Sequence, residues 1–481
     1  MSILNNVEPK KVFYYFEKLS SIPRGSSNTK AVSDYCVTFA VDKGYKYIQD
    51  ESGNVVIFVP GTKDYEKSAP VIIQGHLDMV CECEEGVEID FEKDPIPLLL
   101  KGNEITADGT TLGGDDGIAV AIGLALADSD DIPHPPLELV FTIDEEIGML
   151  GAYSLDISPL KATTMINIDS EDEGYFTVGC AGGRIADIDL PLKRTKKYGT
   201  ELKIKVYGLE GGHSGIDINK GRANANRVLA RVLFSLLKKY NFNIADINGG
   251  NKDNAIPRVS TATICIDEFD ELPNLLNNIT ETLRNEYAQT DKNISVSYEV
   301  IGESEMNVFD DDSTFKIISF VLVMPNGVQA ISHEVEGLVE TSLNLGILKT
   351  NKDSIHLSYL LRSGKESSKI ALYERMEAGC ISYGAKIDYN GDYPAWEFKP
   401  ESSLIEKMEK IYREQYKKDP VVEIMHAGVE CGIFQGKANN KFDIVSIGPT
   451  ISDVHTPSET LYIDTVQRLW IFLKELLKEL K

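Results

Sequence analysis

Apolar residues come in short, nearly unbroken runs through the first part of the chain: NVVIFVP (54–60), VIIQG (71–75), LELVFTI (137–143) and TTMINI (163–168). Runs of this length, rich in branched side chains and without a polar face, predict strands buried on both sides. Between them, residues 8–20 repeat apolar positions with helical spacing, and GIAVAIGLALAD (117–128) is apolar all round, the mark of a buried helix. Strands and helices in this alternation predict an α/β domain with a mixed, mostly parallel sheet covered by helices.

The texture changes after the glycine-rich GCAGGR (179–184). ELKIKVYG (201–208) alternates with period two, as a half-exposed strand does, and NRVLARVLFSLLKKY (226–240) is an amphipathic helix. A strand, a helix and a strand are expected at 259–267, 270–289 and 293–301, and a similar order returns between 314 and 390. From residue 398 the first pattern resumes, with a helix, the strand KFDIVSIG (441–448) and a final helix over 463–480. The expected organisation is one α/β domain built from residues 1–186 and 398–481, interrupted by a large α+β domain over 187–397. Insertion at an exposed loop is well tolerated.

The 481 residues carry a formal net charge of -26, which argues against nucleic acid and anionic membranes as partners. No apolar run is long enough to span a bilayer. The N-terminal MSILNNVEPKK lacks the basic-then-apolar order of a secretory signal, so a cytoplasmic protein is expected. The seven cysteines are scattered and odd in number, which predicts reduced thiols, with Cys81 and Cys83 as bystanders.

Candidate chemistry gathers at strand ends. VIIQGHLDMV places His76 and Asp78 two residues apart, on one face of an extended chain. TTLGGDDG (110–117) places Asp115 and Asp116 at the start of a helix, where alone they read as caps. FTIDEEIGM (141–149) carries Asp144, Glu145 and Glu146, which alone read as a solvated acidic turn. Glu145 and Glu146 share a pocket only if the chain turns, which Gly148 allows. Asp169 follows TTMINI, and His455 sits in the loop SDVHTPSET. In open α/β sheets ligands bind at the carboxyl ends of strands. Histidines and carboxylates converging there call for cations, and imidazole with carboxylate suits zinc, manganese or cobalt. Two ions about 3.5–4 Å apart with a bridging carboxylate are the common hydrolytic arrangement, and a second glutamate beside a ligand glutamate supplies a general base.

GHLDMV, DGTTLGGDDGIAVA, DEEIGMLGA, INIDSEDEG, CAGG, GLEGGHSG, NAIPR, HAGVECG and DVHTPSE occur in this order from about residue 74 to 459. In them the chain resembles the co-catalytic metallopeptidase family that includes aminoacyl-histidine dipeptidase, peptidase T, the carnosinases and carboxypeptidase G. DGTTLGGDDG, CAGG and HAGVECG point to its aminoacyl-histidine (cytosol non-specific) dipeptidase branch, with Gly114 where alanine is usual. The resemblance implies a dipeptidase that hydrolyses Xaa-His and other dipeptides with two divalent ions, zinc before manganese or cobalt. It implies that Asp115 bridges the ions, that His76 and Asp169 complete one site, and that Glu146 and His455 complete the other. By the same resemblance Asp78 orients His76, Glu145 is the general base and His213 stabilises the oxyanion. Asn254, Arg258, Arg362 and Gly428 are implied in substrate binding, and the inserted domain would serve as lid and homodimer interface. A tripeptide aminopeptidase, a carboxypeptidase and an N-acyl amino-acid hydrolase on the same scaffold are the alternatives. His134, His333, His356 and His426 are read as structural.

Overall fold

In the computed structural model, which describes residues 3–333, 335 and 337–481, the chain forms two units. The first comprises Met1–Cys180, Phe398–Ile424 and Val429–Lys481, and the second comprises Ala181–Glu397 and Met425–Gly428. The division expected at 186/187 lies within the strand Gly182–Pro191, which belongs to the second unit's sheet.

The first unit is built on an eight-stranded sheet. Its central strand, Val71–His76, lies between Leu137–Thr142 and Thr164–Asn167 and is parallel to both. Thr164–Asn167 is in turn parallel to Asp443–Ser446. The flanking Val55–Val59 and Lys46–Gln49 are antiparallel, so the sheet is mixed and its parallel pairings are central. Every residue of Val71–His76 and Leu137–Thr142 is buried, the reason their sequences are apolar without alternation. His76 stands opposite Thr142, and Gln74 opposite Asn167. Parallel strands in this register end at one edge. The residues that follow them, Leu77–Asp78, Ile143–Glu146 and Ile168–Asp169, therefore share that edge.

Helix Gly114–Ala127 packs against this sheet and is buried almost throughout, as its apolar sequence requires. Its approach depends on Gly75. A Cβ there would come within 2.5 Å of the Ala119 Cβ and would strike the Asp116 carboxylate. A small four-stranded sheet joins Leu98–Lys101, Glu104–Ala107, Ile451–Ser452 and Thr460–Tyr462, so the segment around His455 is the tip of a hairpin.

The second unit is a nine-stranded sheet with helices Ala225–Leu237, Leu272–Glu286, Asp311–Val323 and Glu366–Tyr383. Arg194–Tyr207 pairs antiparallel with both Ser260–Ile266 and Ser295–Phe309. The second half of Arg194–Tyr207 alternates buried and exposed positions, whereas Val339–Thr350 and Ser354–Ser363 are buried almost throughout. Among the described residues no helix is long and apolar enough to cross a membrane.

Gly75→Ala should destabilise the protein by about 1–3 kcal/mol through overpacking. A denaturant titration checks this, and wild-type stability would mean the helix can move away from the sheet at no cost.

Candidate metal centre

His76 ends the central strand and is almost fully buried. Its Nδ1 lies 3.4 Å from Asp78 Oδ1. Its Nε2 faces the other way, 3.0 Å from Asp115 Oδ1 and 3.6 Å from Asp169 Oδ1. The second oxygen of Asp115 lies 3.1 Å from His455 Nε2, and Glu146 Oε2 lies 3.0 Å from that same nitrogen. Asp115 thus sits between two histidines and presents one oxygen to each. The donor atoms of Asp115, Glu146 and His455 lie within 4.8 Å of one another, and so do those of His76, Glu145 and Glu146 and of His76, Asp116 and Asp169.

Local chain geometry explains how these side chains come together. After Thr142 the strand ends, Asp144 takes a left-handed conformation with φ of 54°, and Gly148 and Met149 donate to the Glu145 carbonyl. This turn frees Glu145 and Glu146 from strand alternation and lets both reach His76. Asp78 fixes the turn: its Oδ1 accepts from the Glu145 amide at 3.0 Å and its Oδ2 from the Glu146 amide at 3.3 Å, while Ser26 donates at 2.8 Å. Asp78 therefore holds an imidazole nitrogen and an acidic turn at once. Asp115 and Asp116 are not caps. The helix cap is Gly113, which has no capping side chain, and neither aspartate has helical torsions. Asp116 accepts from the His76 amide at 3.1 Å.

The electrostatics are those of a crowded acidic cluster. For Asp169, burial raises the carboxyl to about 6, with Asp115 and Glu146 adding to the rise against a hydrogen bond from His76. Burial likewise holds Glu145 well above its ordinary value, helped by Asp169, Glu430 and Glu146. Burial acts to lower His76, but hydrogen bonds to Asp115, Asp169 and Asp78 outweigh it and hold the imidazole well above 6.5. Hydrogen bonds to Asp115 and Glu146 lift the half-exposed His455 to about 11. Carboxylates that retain protons and imidazoles that hold theirs mark a deficit of positive charge. Nitrogen and oxygen donors of this kind fit a borderline divalent cation.

Sequence reasoning did not single out several buried groups around this centre. Glu430 is fully buried, takes hydrogen bonds from Gln74 (2.6 Å) and Thr142 (2.7 Å), and is raised to about 7, first by burial. Arg24 donates to the carbonyls of Leu77 (2.9 Å), Asp78 (2.8 Å) and Gly113. Glu459 accepts from the backbone that leads into Asp115. Glu430 lies in HAGVECG and Glu459 in DVHTPSE, beside His455, which is the signal the sequence offers for these two; Arg24 lies in none of the quoted stretches.

The second unit gathers the remaining candidates by itself. His213 Nδ1 accepts from the amides of Gly215 and Ile216, both at 3.2 Å, which assigns the proton of the neutral ring to Nε2. Burial, then the charge of Arg362, keeps His213 below its ordinary value. Asn254 precedes Ala255–Ile256, which pairs with Gly212–His213, and its carbonyl accepts from the Ser214 amide at 2.8 Å. Arg258 is exposed beside Gly211. Arg362 is buried and donates to the Tyr393 hydroxyl at 2.8 Å, while a Cβ on Gly428 would come within 2.5 Å of the same tyrosine ring. His426, read from sequence as structural, lies in this cluster: its Nε2 meets Ser342 Oγ at 2.8 Å, and burial with Arg362 and His213 lowers it to about 3.

Histidines and carboxylates gather at the carboxyl ends of the central parallel strands, in groups that could hold a metal ion. A profile described as a peptidase dimerisation domain matches residues 204–291. The cytosol non-specific dipeptidase of Escherichia coli (strain K12) is 38% identical over 485 residues, spanning 100% of this chain and 99% of that protein. The crystal structure of aminoacylhistidine dipeptidase from Vibrio alginolyticus superposes with a TM-score of 0.92 at 36% identity, covering 99% of this chain and 98% of that one. Aminopeptidase PepT from Bacillus cereus shares the fold at a TM-score of 0.57 and 15% identity, over 98% of this chain and 99% of its own. The chain belongs to the cytosol non-specific (aminoacylhistidine) dipeptidase family of M20 peptidases.

In chelator-treated protein, His455 binds its proton more tightly folded than unfolded. Its contribution to stability is therefore full below about 6.5 and is lost as pH rises toward about 11. Urea midpoints should fall across that window, and a His455→Gln variant should show a flatter profile. Equal slopes would remove His455 from the cluster's proton balance.

Proposed function

We propose that this protein is a metal-dependent dipeptidase that hydrolyses the peptide bond of Xaa-His and other dipeptides. One observation carries the reading: Asp115 offers Oδ1 to His76 at 3.0 Å and Oδ2 to His455 at 3.1 Å, the arrangement a carboxylate needs to bridge two ions. His76 and Asp169 are assigned to one ion, and Glu146 and His455 to the other. Zinc is favoured, with manganese or cobalt able to use the same donors. When bound, the ions supply an activated water at neutral pH.

The chain's own groups do the rest. Glu145 is assigned to take the proton of the attacking water and to return it to the leaving amine; its buried, proton-retaining carboxyl suits that exchange. Asp78 faces His76 Nδ1 and so leaves Nε2 for the metal. His213, with its proton on Nε2, is assigned to donate to the oxyanion. Arg362 is assigned to the substrate carboxylate, with Asn254, Arg258 and Gly428 completing the substrate contacts. The remaining proposals are a homodimer through the second unit, supported by the dimerisation-domain match, and a cytoplasmic location, supported by the E. coli relative's name.

Purified protein should cleave a panel of dipeptides including Xaa-His, lose the activity to a chelator and regain it with zinc. Preference for tripeptides or N-acyl amino acids would shift the reading to the alternatives. Glu145→Gln should keep its metal and lose about 10²–10⁴-fold in kcat; substantial residual turnover would remove Glu145 as the base. Asp78→Ala should lower activity about 10- to 100-fold with a smaller loss of metal. Elemental analysis beside kinetics reads both, and complete metal loss would make Asp78 a ligand.

A further inference from the structure

Asp115 needs a fixed place between two histidines, yet it lies in the glycine-rich segment TTLGGDDG, which has little side-chain bulk to hold it. Its restraint comes from elsewhere. Glu459 Oε2 accepts from the amides of Leu112 (2.8 Å) and Gly113 (3.1 Å), and its Oε1 accepts from Gly114 (2.8 Å) and Asp115 (3.3 Å). Four consecutive amides thus end on one carboxylate that is 2% exposed. A carboxylate suits this position because it offers acceptors only. Arg24 closes the carbonyl side of the same loop through Gly113.

Glu459 also ends the hairpin loop that carries His455, since Ile451–Ser452 and Thr460–Tyr462 pair around it. It therefore ties together two ligand-bearing segments that are 340 residues apart from Asp115 to His455. We infer that Glu459 is a positioning residue: by holding four amides of the 112–115 loop it fixes Asp115 relative to His455, and so sets the affinity of the ion shared by Asp115, Glu146 and His455. This rests on the two-metal reading above. The role belongs to the carboxylate and not to packing volume, because glutamine has nearly the same shape but would turn an N–H₂ donor toward two of the amides.

The test compares Glu459→Gln with wild type, each stripped and then titrated with zinc against a chromophoric chelator, and repeated with cobalt to read its visible absorption. Wild type should bind two ions. Glu459→Gln should bind the ion assigned to Glu146 and His455 about 10- to 100-fold more weakly and the ion assigned to His76 and Asp169, which Asp115 also reaches, with a smaller loss, with a matching fall in kcat and an unchanged KM. The cobalt spectrum of the weakened site should change. Glu459→Asp keeps the charge and draws it back from the amides; it should show the same pattern, and it carries the test if the glutamine variant does not fold. Two ions at wild-type affinity with wild-type kcat in either variant would overturn the inference. So would insolubility of both variants, which would make Glu459 a plain folding residue. Wild-type protein that binds no divalent ion would instead refute the metal reading itself.

Discussion

Buried negative charge is the constraint on which the first unit depends. Asp115, Glu145, Glu146 and Asp169 converge on one edge of a parallel sheet, with Asp116 and Glu430 buried behind them. Their positive neighbours within the chain are His76, His455 and Arg24. An uncompensated carboxylate in such a place gives up its charge before it gives up its solvation, and this cluster divides accordingly. Hydrogen bonds from both histidines outweigh burial and hold Asp115 down, whereas Asp169 and Glu145 are pushed up. The carboxylate held down is the one that both histidines reach.

The register of the central strands turns sequence into that geometry. His76 and Thr142 are cross-strand partners, so the residues just beyond each strand end are neighbours although they are distant in sequence. This much was legible. Buried strands announce themselves by apolar runs, and polar residues at their ends stand out against that background. His76, Asp78, Glu145, Glu146 and Asp169 stand out on this signal; Asp115 and His455 stand out at a glycine-rich helix start and in a loop, and the family resemblance is what implies a role for each. The turn at Glu145 was legible only as a possibility opened by Gly148; its cause, two amides held by Asp78, involves residues nearly seventy positions apart.

The residues that escaped sequence reasoning share a physical character. Glu459 and Arg24 act mainly on backbone amides and carbonyls, which every residue carries, so nothing in the partner's identity marks the contact. Glu430 is buried in a polar network with Gln74 and Thr142, partners that lie far from HAGVECG in sequence. In the second unit, Tyr393 joins Arg362 to Gly428 through a ring contact and a hydroxyl, a triad with no spacing rule behind it. His426 is read from sequence as structural, and its partner Ser342, whose Oγ meets its Nε2 at 2.8 Å, lies 84 positions earlier in the chain.

Ligands and supports therefore encode different amounts of information. A ligand must be a particular side chain, so a motif preserves it in the open. A support must only present an acceptor or donor of the right sign at a backbone group, and it can come from any segment the fold brings near. Asp78 and Glu459 show how few such groups suffice. One carboxylate orients His76 and fixes the Glu145–Glu146 turn, and the other holds the loop that leads into Asp115. Between them they restrain two acidic segments of the cluster and lie against one of its histidines. The precision of the centre thus resides largely in buried carboxylates that face the backbone.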